Sequence, residues 1–181
     1  MCKRLLSFAS ALAAGALFAT VAGSPCVAMQ ITSPDLKAGA PMPMANVYPR
    51  CGGRNISPAL AWSGAPPATK SLVLTMIDLT PPPHQWSHWI VVGLPPSTTG
   101  LPRGVRALPA GAHAIAGNFG DAAYDGPCPP QGSGVHRYQI TIWALPSAAP
   151  QLTPNGPADA LGALLAHVAI DRASLAVTAQ R

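Results

Sequence analysis

The sequence contains no glutamate, and only 9% of its 181 residues are charged. Its six acids are aspartates spread along the chain, so it lacks the closely spaced pair of carboxylates that glycosidases use. The basic residues are scattered as well, and they form no basic stripe interleaved with aromatic side chains. We therefore expect no nucleic-acid partner. A G-x-S-x-G elbow is also absent, which weakens the case for a serine hydrolase.

The start of the chain is basic and then apolar. Lys3 and Arg4 precede an uncharged run rich in Ala and Leu over residues 5–22, and small residues follow. This order is typical of a secretory signal peptide, so we expect a leader over residues 1–28, cleaved after Gly23 or Ala28. The remaining domain, residues 29–181, is then periplasmic or secreted. Its formal net charge falls by 2, from +5 to +3, with the loss of the two leader cations.

Export also bears on whether two of the four cysteines form a disulfide. Cys51 and Cys128 remain in the mature chain wherever the leader is cut, whereas Cys26 remains only after early cleavage. Disulfides form and persist in exported proteins. Cys51 and Cys128 are therefore a candidate disulfide.

The prolines and glycines, 22 and 17 in number, interrupt most of the chain too often for long helices. They favour a loop-rich, mainly β fold of one domain. One helix is predicted near the C-terminus, where apolar residues from 161 to 168 follow the i, i+3, i+4, i+7 rule. A closing strand is predicted over residues 174–178.

Two short strands are predicted over residues 72–78 and 88–92, which are apolar and joined by a proline-rich loop. Antiparallel pairing of these strands places Asp78 and His88 at the same edge of the sheet. A carboxylate there favours the charged form of a neighbouring imidazole. The simpler alternative is that Asp78 caps the turn and His88 packs in the core.

A third strand is predicted over residues 135–145. Its alternation puts His136 and Tyr138 on one face, at the polar start of an otherwise apolar row. If this strand pairs antiparallel with residues 72–78, His136 lies beside Asp78. The polar residues of the three strands then meet at one rim, under the loop over residues 126–130.

Taken in order, these segments resemble the phosphatidylethanolamine-binding protein family, and within it the bacterial branch of the Raf kinase inhibitor-like proteins. Several spaced motifs in one order are more specific than any single motif. The matching residues are C-G-G-x-N-I-S-P-x-L-x-W (51–62), T-K-S-L-V-L-T (69–75), Asp78, W-x-H-W (86–89), N-F-G (118–120), G-P-C-P-P (126–130) and H-R-Y (136–138).

The resemblance implies an antiparallel β-sandwich with a helix near the C-terminus, and a small pocket for anions such as phosphate, acetate or phospholipid head groups. Carried over by position, the implied pocket residues are Asp78, His88, His136 and Tyr138, walled by Pro82, Gly126 and Pro127. The family usually has D-P-D-x-P after the first strand, whereas this chain has Leu79 and Thr80 within D-L-T-P-P. The missing second acid leaves the pocket less negative, which favours anion binding.

We therefore expect an exported, non-enzymatic binding protein for a small anion or phospholipid head group. Imidazolium at His88 or His136 and the phenol of Tyr138 supply donors, while Asp78 orients an imidazole. The resemblance also implies a regulator or inhibitor of another protein, whose identity these residues do not indicate. A homodimer is compatible with this function, and no cofactor is expected.

Two alternatives remain open. The first is a hydrolase, metal-dependent through Asp78, His88 and His136, because two histidines and a carboxylate are a legitimate ligand set for zinc or iron. The second is an envelope protein with a vestigial pocket.

Overall fold

A computed structural model describes residues 28–80, 85–148, 156 and 158–181. It contains eight strands and one α-helix within these residues. The elements are β1 (Gln30–Thr32), β2 (Leu60–Ser63), β3 (Ser71–Asp78), β4 (Trp86–Leu94), β5 (Gly100–Leu101), β6 (His113–Ala114), β7 (His136–Leu145), α1 (Ala158–Val168) and β8 (Asp171–Ala179). A short 3-10 helix, Pro49–Cys51, precedes β2. Nearly all of the predicted leader, and Pro82, lie outside the described residues.

The strands form two antiparallel sheets. The small sheet has the order β1-β2-β5, and the large sheet has the order β6-β4-β3-β7-β8. All pairings between these strands are antiparallel. The predicted mainly β architecture with a helix near the C-terminus is confirmed.

Strand β3 lies at the centre of the large sheet and is buried along its whole length. One of its faces, with Leu72, Leu74 and Met76, packs in the core between the two sheets. The other face, with Val73, packs in a second core that includes Leu165 of α1. Burial of such side chains contributes about 1.5–3 kcal/mol each, so β3 is firmly placed and its last residue, Asp78, is fixed with it.

Helix α1 covers the outer face of the large sheet. Leu165 is fully buried, and Leu161 and Val168 pack against the same core. Leu164, which the periodicity assigns to the same apolar face, is instead exposed, because the helix presents a narrower stripe to the sheet. Within the part of the chain that is described, no helix is both long and apolar enough to cross a bilayer.

Candidate functional site

The polar residues predicted to share one rim come together at the end of β3. Asp78 faces Tyr138 across the β3–β7 ladder. Nδ1 of His136 lies 2.6 Å from Oδ2 of Asp78, and the His88 ring centroid is 5.1 Å from that of Tyr138. These four residues, named the polar cluster below, are only 1–5% exposed. They lie on the face of β3 that points between the two sheets.

His136 is held by hydrogen bonds at both ring nitrogens. The hydroxyl of Ser133 lies 2.7 Å from the carbonyl of Pro130, to which it donates, and 2.9 Å from Nε2 of His136. Nδ1 of His136 donates to the Asp78 carboxylate. His136 is therefore fixed in a close buried pair with Asp78, whose Oδ1 also accepts from the backbone N–H of Thr80 at 2.9 Å.

His88 reaches the cluster through a β-bulge. Ser87 pairs with Ile77, and Trp89 pairs with Met76, so His88 is an extra residue without a partner on β3. A bulge of this kind turns two successive side chains towards one face. It allows Trp89 to fill the core between the sheets while His88 lies beside Tyr138.

Burial favours the neutral form of the His88 ring. Burial lowers the pKa of His88 to about 4, and it outweighs the opposing effects of the Asp125 carbonyl and the Asp78 charge. Nδ1 lies 2.8 Å from the backbone oxygen of Asp125 and donates to it. The lone pair of neutral His88 is therefore on Nε2, and a backbone hydrogen bond with Gly126 also favours the charged form of the ring.

Tyr138 supplies a protonated phenol. Burial, together with the nearby Asp78 carboxylate, raises the pKa of Tyr138 well above its usual range. The hydroxyl consequently keeps its proton at all physiological pH values. It can donate to an oxyanion or accept from a ligand N–H group.

The loop predicted to lie over the cluster is fixed by three kinds of contact. The backbone N–H of Gly126 donates to Oδ1 of Asn55 at 2.7 Å, and the Pro127 carbonyl accepts from the backbone N–H of Tyr48 at 3.1 Å. Asn55 adopts a left-handed backbone with φ of 53°, a conformation that asparagine tolerates better than most residues. The predicted disulfide between Cys51 and Cys128 is present and ties the loop to the 3-10 helix.

Gly126 packs too tightly for any side chain. A Cβ atom at this position would overlap the carbonyl oxygen of Asn46 and lie 2.7 Å from the backbone nitrogen of Tyr48. We expect Gly126→Ala to lower the free energy of unfolding by about 1–3 kcal/mol, because backbone must move to accept the methyl group. Urea unfolding measures this loss. The control is Gly162→Ala in α1, where a Cβ meets open space and alanine should stabilise by up to about 1 kcal/mol. Equal effects at the two glycines would contradict the close packing at Gly126.

Phe119 packs against His88. Its ring centroid lies 5.1 Å from that of His88, 5.0 Å from that of Tyr48 and 6.0 Å from that of Trp86. A cavity of about 500 Å³ opens beside Phe119. The ring thus forms a wall between His88 and this cavity.

The described residues include no group of three or more His, Cys, Asp or Glu side chains that could hold a metal ion. The set of Asp78, His88 and His136 considered for a metal-dependent hydrolase is therefore not assembled as a metal site.

Six of the seven predicted pocket residues can be located. Asp78, His88, His136 and Tyr138 adjoin one another, Gly126 and Pro127 form the fixed loop above them, and Pro82 lies outside the described residues. Their role in binding remains a prediction. Sequence reasoning missed four contributors, Asn55, Ser133, Phe119 and the backbone of Asp125. Three of the four lie in or next to the quoted motifs, but nothing in the spacing indicates which groups they contact.

Two antiparallel sheets, one helix near the C-terminus and a buried Asp-His-Tyr cluster at the end of the central strand place the chain in the mainly β class of sandwich proteins. The sequence model described as phosphatidylethanolamine-binding protein matches residues 32–180. The chain belongs to this family.

Individual relatives support the assignment. The UPF0098 protein YbcL of Escherichia coli is 37% identical over 146 residues, which are 76% of this chain and 80% of YbcL. The crystal structure of YbcL, described as a new member of the mammalian PEBP family, superimposes with a TM-score of 0.78 at 33% identity, covering 86% of this chain and 99% of that one. A Mycobacterium tuberculosis protein provisionally named lipoprotein LppC is 34% identical over 150 residues, 83% of this chain and 71% of LppC.

Proposed function

We propose that the polar cluster binds a small oxyanion, free phosphate or the phosphate of a phospholipid head group, and that the protein acts by binding rather than by catalysis. The observation that carries the proposal is the arrangement of His88. Its Nδ1 is committed to the Asp125 carbonyl, so Nε2 remains for a ligand next to the Tyr138 phenol. Convergent polar groups on a rigid sheet are what a small binding site requires.

Asp78 and His136 support this site rather than act as the anion receptor. His136 spans from the β3 carboxylate to the Ser133 hydroxyl of the loop. The pair therefore holds the end of β3, the start of β7 and the loop in one geometry.

We also propose that the protein works in the cell envelope or outside the cell. The basic and apolar N-terminal segment supports export. The Cys51–Cys128 disulfide is consistent with an oxidising compartment, and a relative bears a provisional lipoprotein name.

Anion binding is expected to be coupled to proton uptake by His88. An anion next to Nε2 stabilises the imidazolium and raises its pKa from about 4. Above that pH the free ring is neutral and must take up a proton on binding. Affinity should therefore increase as pH falls from 8 towards 4, by up to about tenfold per pH unit, and level off below about 4, where the free ring is already protonated.

Sulfate is the probe for this prediction, because it carries no proton in that range. Calorimetric titration gives its affinity, and the histidine Cε1–H resonances report the site. His88→Gln should remove the pH dependence, and Tyr138→Phe should lower affinity about tenfold. His167→Gln, at an exposed position on α1, is the matched control. The proposal would be refuted if neither sulfate nor phosphate bound detectably at concentrations of about 10 mM. It would also be refuted if His88→Gln bound them identically to the parent protein.

A further inference from the structure

The cavity next to Phe119 has features that the polar cluster does not explain. It measures about 500 Å³, and its lining includes Tyr48, Arg50, Phe119, Gln131 and Arg181. It is named the arginine cavity below. Its volume is within the range of small-molecule sites, roughly 300–1,000 Å³, and far exceeds the needs of a single inorganic anion.

The arginine cavity presents two guanidinium side chains. It is lined by two guanidinium groups and by no carboxylate side chain. Among the described residues the carboxylates paired with a cation are Asp35, with Arg103, and Asp78, with His136. Neither Arg50 nor Arg181 is therefore neutralised by a described acidic side chain. Two unpaired cations in one concave surface attract an anion.

Among the described residues, the guanidinium of Arg181 is held in place by weak acceptors only. Its Nη1 lies 3.3 Å from Sγ of Cys51 and 3.9 Å from Sγ of Cys128. Its backbone oxygen accepts from the N–H of Gly132 at 3.0 Å. Disulfide sulfur is a weak acceptor, so an oxyanion would compete successfully for these N–H groups. The disulfide thus orients a guanidinium that remains free to bind a stronger partner.

Another part of the lining is aromatic. Tyr48 and Phe119 are in contact, with ring centroids 5.0 Å apart and an interplanar angle of 42°. Tyr48 enters the 3-10 helix that ends at Cys51, and Cys51 contacts Arg181, so one short segment connects the aromatic wall to the arginine. A flat apolar group packs on such a surface better than a chain of polar atoms does.

We infer that the arginine cavity is a second binding site, separate from the polar cluster, for small aryl anions such as aryl phosphates or aryl carboxylates. The anionic group binds Arg50 and Arg181, and the ring packs on Tyr48 and Phe119. This site goes beyond the proposed function, because its residues are different from those that bind the inorganic oxyanion. Phe119 is the shared wall, since it also contacts His88.

Phenyl phosphate is the probe, and methyl phosphate tests the contribution of the ring. In calorimetric titration of the full domain with its disulfide intact, phenyl phosphate should bind at least about tenfold more tightly than methyl phosphate. Arg50→Gln and Arg181→Gln should each weaken phenyl phosphate about tenfold or more. Arg106→Gln removes an exposed cation outside the cavity and should change affinity less than about twofold. Melting temperatures of the variants check that each one folds.

The polar-cluster variants separate this inference from the proposed function. His88→Gln should leave the arginine-dependent binding of phenyl phosphate intact, while it removes the shift of histidine resonances by inorganic phosphate. If phenyl phosphate loses its affinity in His88→Gln and keeps it in both arginine variants, the ligand binds only at the polar cluster and the second site is refuted. Equal affinities for phenyl and methyl phosphate would refute the aromatic wall and the inference with it.

Discussion

Asp78→Ala is expected to lower the free energy of unfolding by about 3–5 kcal/mol. The substitution removes the carboxylate from a buried pair and leaves Nδ1 of His136 without its hydrogen-bond acceptor in a region that water hardly reaches. The backbone N–H of Thr80 also loses its acceptor. Urea unfolding at neutral pH measures the change.

A double-mutant cycle with His136→Ala isolates the pair. The two single substitutions should each be severe, and their combination should cost less than their sum by more than about 1 kcal/mol, because the second change removes the buried polar group that the first left without a partner. Arg103→Ala breaks the other ion pair of the described residues, whose guanidinium side chain is 61% exposed, and should cost much less. Strict additivity in the cycle would show that Asp78 and His136 do not interact energetically.

Removal of the disulfide is the second large effect. Replacing both Cys51 and Cys128 by alanine should lower the free energy of unfolding by about 4 kcal/mol, because the bond closes a loop of 77 residues and restricts the unfolded chain. The loss should be greater than that from most single surface substitutions. Urea unfolding of the variant and the oxidised parent protein gives the difference.

Reductant provides an internal control for this effect. The parent protein treated with dithiothreitol should approach the stability of the double alanine variant, whereas the variant itself should not respond to reductant. A parent protein whose stability is unchanged under full reduction, verified by thiol alkylation, would contradict the assigned role of the bond.

Two kinds of sequence signal predicted the fold and the pairing at its centre. Alternation in residues 135–145 correctly put His136 and Tyr138 on one face, and antiparallel pairing with β3 correctly put His136 beside Asp78. Such predictions succeed because the side chains of a regular strand alternate strictly, so one register determines every neighbour. The compartment argument likewise identified the disulfide without any distance information.

The position and charge of His88 could not be obtained in this way. A bulge interrupts the alternation of side chains and has no periodic pattern in the sequence. The register at Ser87 and Trp89 is therefore seen only in the three-dimensional structure. The neutral state of His88 depends on how completely the loop and Phe119 bury it, and burial by distant segments is a property of tertiary structure. The sequence pattern alone favoured the opposite charge, since it showed only the nearby carboxylate.

The bulge at His88 has an evolutionary consequence. The extra residue, His88, lies between the first residues of β4 and the residues from Trp89 onwards. The pairing of Trp89 and later residues with β3 therefore does not determine where the His88 ring points. Descendants of this chain can exchange apolar residues over 90–94 without reorienting the histidine. Deletion of one residue between 86 and 89, in contrast, would restore plain alternation. The imidazole of His88 and the indole of Trp89 could then no longer both point to the face that they share now. The length of the segment over 86–89 should therefore be under stronger selection than the identity of the apolar residues over 90–94.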